Sequence, residues 1–255
     1  MENVNKPIVI NRWLPYWAVL QADLQQTLQS WVYRFWVLLS LLAAGGFLVY
    51  RLGLVHEAGF IQPASKWIGE LFRWTMLGSV SLIVVLTAGT ISSERGSMAD
   101  SVLSRGISRY QYYLGKWHSR IISVSLTFLG MCVLLYGASL FLLHEDLSLL
   151  GCGMGLAVAL MLLLAVASLG VAVSAICNST LVSVALVWAM LYGGGFLLTL
   201  LPAHYITPDR ALNRLPYILQ GNYDAEGLGR LMLGCLGVSL IAASVGMAYF
   251  ARRDI

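Results

Sequence analysis

The chain has 255 residues, of which 58% are hydrophobic and only 11% charged, whereas an ordinary soluble domain carries about 25% charged residues. That deficit excludes a soluble globular fold and makes lipid the solvent the chain needs. The net charge of +4 is too small for a nucleic-acid binder, and in a membrane protein a basic excess collects in cytoplasmic loops.

The first residues, MENVNKPIVINRW, lack a charged segment leading into an apolar core, so no cleaved signal peptide is expected. The next stretch, RWLPYWAVLQADLQQTLQSW, repeats apolar residues every three or four positions: Trp13, Trp17, Leu20, Leu24, Leu28 and Trp31. Gln21, Gln25, Gln26 and Gln29 fall on another face, and Pro15 stands where a helix start tolerates it. This predicts an amphipathic helix lying in the membrane interface, with Trp13, Trp17 and Trp31 as anchors. The alternative is a soluble helix packed on the protein's own cytoplasmic face.

Six apolar runs follow, at about 33–53, 72–92, 121–143, 149–177, 180–202 and 228–250. Each is long enough to cross a bilayer, and none alternates with period two, so each is expected to be a helix. The predicted fold is an all-α membrane protein with six transmembrane helices. Residues 1–32 form a cytoplasmic N-terminus with the interfacial helix, 93–120 a cytoplasmic loop and 203–227 an external loop.

An even number of spans puts both termini on one side. The N-terminal segment, the 93–120 loop and the C-terminus carry Lys6, Arg12, Arg34, Arg95, Arg105, Arg109, Lys116, Arg120, Arg252 and Arg253. The other loops carry Arg51, Lys66, Arg73, Arg210, Arg214 and Arg230. The positive-inside rule therefore places both termini and the long loop in the cytoplasm. Trp36, Trp67, Trp74 and Trp117 sit near span ends, as interface anchors do.

The span interiors are nearly free of ionisable residues, which argues against a proton- or ion-coupled transporter. Small residues are common, with Gly151 and Gly155 in a GxxxG spacing and a Gly193–Gly194–Gly195 run. GxxxG lets helices approach closely, within the chain or between chains. The glycine run is a candidate break in the fifth helix. The cysteines, Cys132, Cys152, Cys177 and Cys235, form no CxxC pair and read as small buried hydrophobes. His144–Glu145–Asp146 is too tight a cluster for good metal geometry and reads as a hydrated turn. Between the fifth and sixth spans, Pro202, Pro208 and Pro216 cut the chain into short pieces, readable as short helices or as an ordinary loop.

The charges concentrate in ISSERGSMADSVLSRGISRYQYYLGKWHSR. Here SMADSVLSR is helix-like, with Arg105 near its end and Gly106 after it. Ser108 and Gln111 form a possible capping box that would start a helix running into the third span. Read by charge alone, the loop is solvated, with Arg109 and Lys116 available to lipid phosphates and Glu94 available to Arg95, Arg105 or Arg109.

This loop resembles that of type-2 ATP-binding-cassette (ABC) transporter permeases. The matching residues are Glu94, Gly96–Ser97, Val102–Leu103, Ser104, Ile107–Ser108–Arg109 and Leu114–Gly115–Lys116. Gly106 stands where the family usually has proline, and the Glu-to-Gly spacing is one residue short. The interfacial helix, the six spans and the final YFARRDI extend the resemblance over most of the chain.

The resemblance implies a transmembrane subunit of an ABC exporter, in a bacterial cytoplasmic (inner) membrane. It would pair with a second copy of itself or a related permease, and each copy would dock on an ABC ATPase subunit. The loop would act as a coupling helix, with Glu94, Gly96, Asp100, Val102, Leu103, Arg105 and Arg109 as docking and coupling residues. The chain has no GxxxxGK[ST] phosphate loop, so no catalytic residue and no bound cofactor is expected in it, and ATP and Mg²⁺ would sit on the partner. The competing expectation is a non-transporting anchor or assembly factor that holds a cytoplasmic partner.

Overall fold

The computed structural model describes residues 13–58, 63–94, 107–142, 146–202 and 205–252. Among these residues the chain is helical with no strand. The helices are α1 (Leu14–Gln29), α2 (Trp31–Ala58), α3 (Ala64–Ala88), α4 (Arg109–Leu142), α5 (Leu149–Ile176), α6 (Thr180–Thr199), α7 (Pro208–Asn213), α8 (Leu215–Leu219) and α9 (Ala225–Arg252).

Six of them are long and apolar enough to span a membrane: α2, α3, α4, α5, α6 and α9. They match the six runs seen in the sequence, with different ends. At 1.5 Å per residue, the 20 residues of α6 cover about 30 Å, the thickness of a hydrocarbon core. The 34 residues of α4 cover about 51 Å and must project beyond it. Its extra turns are the polar ones, because α4 starts at Arg109, well before the apolar run at 121. The reciprocal box is present: Ser108 N–H donates to Gln111 Oε1 at 3.2 Å, and Gln111 N–H donates to Ser108 Oγ at 3.2 Å.

The long helices run alternately up and down between two ends. One holds α1, the base of α3 at Glu94, the start of α4 and the end of α9; it is called the loop end. The far end holds α7, α8, Asp146 and the start of α5. The centre of the bundle is α5, which packs most extensively on α9 and then on α3 and α4. Of its most apolar window 67% is buried, against 17% for α2 and 11% for α6. The core around α5 holds Phe72 edge-on to Phe128 at 5.1 Å, with Met76, Ile83, Leu135 and Leu163.

Several hydroxyl side chains in and beside these apolar helices are satisfied locally. Thr87, Thr90, Ser92, Ser123 and Thr127 each donate to the carbonyl four residues back, which makes them tolerable where water is absent.

At the far end the chain between the fifth and sixth spans forms the two short helices α7 and α8. Thr207 caps α7 and Pro208 starts it. The α8 backbone lies directly on Gly151 of α5, where an added Cβ would stand 2.2 Å from the Ile218 carbonyl oxygen. Gly155, one turn on, meets the side chains of Leu215 and Leu219. The GxxxG pattern is thus used within the chain, to seat α8. Asp146 fastens the same region, accepting hydrogen bonds from Ser65 N–H, Ser65 Oγ and Gln220 Nε2 at 3.3, 2.8 and 2.9 Å. The Gly193–Gly195 run does not break α6, which is continuous through it.

Candidate functional site

The sequence directs attention to the loop end. Of the docking residues read there, Gly96, Asp100, Val102, Leu103 and Arg105, with the short helix expected over them, lie outside the described residues. Glu94 and Arg109 are described, and each belongs to a different contact.

Glu94 is delivered by a chain of polar contacts. The helix α3 ends at Ala88 and continues as tight turns to Glu94. Ser174 of α5 accepts hydrogen bonds from Ile91 N–H and Ser92 N–H at 2.9 and 3.1 Å. Ser92 Oγ lies 3.2 Å from Thr180 Oγ1 at the start of α6. The base of the loop is therefore pinned to α5 and α6 before Glu94 is reached.

Glu94 then enters a charged node between α1, α3 and α4. Lys116 Nζ lies 2.6 Å from Glu94 Oε1 and 2.7 Å from Asp23 Oδ1. Tyr112, one turn before Lys116, donates its hydroxyl to Glu94 Oε2, and its ring centroid is 5.6 Å from Lys116 Nζ. Arg120, one turn after Lys116, places NH2 3.3 Å from Asp23 Oδ1 and donates from NH1 to Thr27 Oγ1 at 2.6 Å. Asp23 and Lys116 are 2% and 4% exposed, the only charged side chains buried among the described residues. Two acids and two bases leave the node neutral, which is what allows it to be buried.

This corrects one expectation: Lys116 does not face lipid phosphates, because it is enclosed between two carboxylates. Glu94 is bonded to Lys116 and Tyr112, while Arg95 and Arg105, two of the arginines offered to it, lie outside the described residues. Arg109 donates from NH1 to the Ala251 carbonyl at 3.2 Å, a cation at the C-terminal end of α9, where the helix dipole favours it.

The α1 helix is held on α4 by a mixed polar and apolar face, of which only Leu20 belongs to the apolar repeat seen in the sequence. Tyr16, Val19, Leu20, Asp23 and Thr27 point to the protein. Tyr16 Oη is 3.1 Å from His118 Nδ1. A Cβ on Gly115 would stand 2.8 Å from Val19 Cγ1 and 3.3 Å from the Leu20 nitrogen, so glycine is what lets the two helices touch there. Each residue of Leu114–Gly115–Lys116 now has a contact: the Leu114 carbonyl oxygen is 3.0 Å from His118 Nδ1, Gly115 seats α1 and Lys116 joins the node.

Trp13, Trp17 and Trp31 are 61%, 60% and 79% exposed. At about 100° per residue, Trp13, Trp17, Leu24 and Leu28 centre roughly a quarter turn from the buried face. The helix thus rests on the protein with one side and presents tryptophans on the next.

Asp23 carried a signal that the Leu/Gln division hid. Lys116 and Arg120 are four apart, so both cations lie on one face of a helix about to become apolar. Such a pair needs carboxylates close by, and Asp23 and Glu94 are among the few acids near this end.

Other clusters are modest. The four cysteines are free, and no group of histidine, cysteine and carboxylate residues suited to a metal occurs among the described residues. Trp117 Nε1 donates to Ser168 Oγ at 2.9 Å, and Ser168 Oγ lies 2.6 Å from Ser239 Oγ, a hydroxyl link joining α4, α5 and α9. A half-open hollow of about 330 Å³ lies at the far end beside Arg214, Tyr217 and Leu228.

The chain matches no protein-family model and no curated protein.

Proposed function

We propose that the chain is the membrane-spanning subunit of an ATP-driven transporter of the type-2 ABC permease kind, working as an exporter with a separate ATPase subunit. The observation that carries this reading is the node. The loop between the second and third membrane-length helices bears the permease-like motif, and its Glu94 is tied into a buried ion-pair network that also holds α1 and α4. A loop meant to transmit force needs such a rigid base, since a slack one would move without moving the spans.

In this reading the loop end is cytoplasmic, in keeping with the distribution of arginine and lysine. The segment around residues 94–109 rests on the ATPase, which binds ATP and Mg²⁺ and does the hydrolysis. The α1 helix lies at the membrane surface with Trp13, Trp17 and Trp31 toward the headgroups, where tryptophan is favoured. The least covered spans, α2 and α6, face a second permease copy. The bundle buries no charge among its described residues apart from the node, so the cargo it suits is lipid-like or amphipathic.

The test is co-purification of the tagged chain from its native membrane in mild detergent, with mass spectrometry of what accompanies it. A stoichiometric partner carrying a phosphate-loop ATPase sequence is the expected result. If none appears under conditions that preserve a known ABC complex, the transporter reading falls and the anchor reading replaces it.

A further inference from the structure

The node is satisfied unevenly. Asp23 Oδ1 receives both Lys116 and Arg120, while Asp23 Oδ2 is buried with no partner among the described residues. Arg120 uses NH1 on Thr27 and NH2 on Oδ1, while its Nε is likewise buried without a partner among those residues. An arginine and a carboxylate bind best fork to fork, with two parallel N–H to oxygen bonds. The two orphan atoms are the unused half of that arrangement.

We propose that Asp23 is a sliding contact on a two-rung ladder formed by Lys116 and Arg120, and that Glu94 selects the rung. In one position Asp23 closes on Arg120 as a bidentate pair, using both orphan atoms, and Lys116 is left to Glu94 and Tyr112. In the other position Asp23 holds Lys116. The four charges divide without remainder, so the first position strands no buried charge, and this makes it accessible. Glu94 and Asp23 compete for one ammonium group. When Glu94 holds Lys116, Asp23 is released to Arg120. When Glu94 withdraws, Lys116 has only Asp23, and α1 is drawn to that rung.

The seat permits such a shift. Where α1 crosses Gly115 there is no side chain to interlock with Val19, and small translations of packed helices are an ordinary switching motion. The device links the base of the loop to α1 and makes Asp23 and Arg120 positioning residues. It rests on the transporter reading only for what pulls on Glu94.

The test is a distance measurement by pulsed electron paramagnetic resonance on the full chain in lipid nanodiscs, without any ATPase. Spin labels replace the exposed residues Gln25 on α1 and Tyr110 on α4, in a background with the four free cysteines changed to alanine. Labelled chain is diluted with unlabelled chain. The native node is expected to give a distribution spanning both positions. Glu94→Gln and Arg120→Gln should each narrow it to the same distance. Lys116→Gln should narrow it to a distance displaced from that one by up to about 6 Å, the rise of the four residues between the rungs.

Distributions centred alike in all four proteins would overturn the proposal, as would Glu94→Gln moving in the same direction as Lys116→Gln. Arg120→Lys keeps the charge but cannot form the fork, so it should shift weight to the Lys116 rung even if a neutral variant fails to fold; a native-like distribution in it also overturns the proposal. A chain that binds no ATPase can still show the switch, and one that binds an ATPase can lack it, so the two readings fail separately.

Discussion

Lys116 illustrates how much a single side chain can be asked to do where three segments of the chain meet. Its ammonium lies between Asp23 and Glu94, and it ties α4 to α1 and to the turns that follow α3. A buried ion pair contributes little over apolar packing, but losing one partner strands the other charges. Lys116→Met should therefore lower stability by about 3–5 kcal/mol, the range for breaking a buried pair, read as earlier thermal unfolding in detergent. Adding Asp23→Asn to it leaves Glu94 and Arg120 to balance each other and should recover most of the loss. If the double variant is as unstable as the single one, uncompensated charge is not the cause. The sequence left Lys116 available to lipid, because linear order does not reveal that α1 folds back over it.

Among the elements, α1 and α8 show how short amphipathic pieces are placed. The α1 helix divides into three sectors: a face on α4 with Asp23 and Thr27, a tryptophan face and a glutamine face. The last two are legible in the sequence, since they follow from helical periodicity. The first is not, because that face is as polar as it is apolar. The helix packs on the protein and leaves its tryptophans uncovered. The α8 helix depends on Gly151. A Cβ there meets backbone rather than a movable side chain, so Gly151→Ala should unseat α8 and cost about 1–3 kcal/mol, typical of overpacking. Hydrogen exchange should then rise at 215–220 before it rises in α5. Asp146 gives the same region a pH limit. Burial pushes its carboxyl up, but hydrogen bonds from Ser65 and Gln220 outweigh that and hold it below the ordinary value of 3.8. A lowered folded pKa means the stabilisation is fully present above 3.8 and is lost as pH falls through the folded value. Exchange at 215–220 should increase on acidification in that range, and Asp146→Asn should remove the pH dependence.

At the scale of the whole molecule, the uneven burial of the spans is the informative feature. The α5 helix is wrapped by neighbours, whereas α6 buries only Ser183 and Val187 within the chain. Lipid covers an apolar helix as readily as protein does, so exposure alone does not identify a partner, but the proposed pairing of two permease copies makes a checkable statement. Cysteine placed at Tyr192 or Phe196, both exposed on α6, should give a disulfide-linked dimer in native membranes. The same residue at Val133, exposed on α4, should not. Equal yields at both sites would remove α6 from the interface.

Composition and periodicity alone determined the class of this protein. Runs of about 20 apolar residues must be helices in lipid, because no other unpaired backbone is tolerated there, and six runs give an up-and-down bundle. The capping box at Ser108 and Gln111 was equally legible, since a cap is local. Tertiary structure decided which charges meet. Asp23 lies 93 residues from Lys116 and pairs with it only because α1 lies across α4 at Gly115, and the use of Gly151 to seat α8 also depends on contacts between distant segments. Burial turned these charges from solvated surface groups into a neutral, enclosed network, and burial is a property of the packed chain.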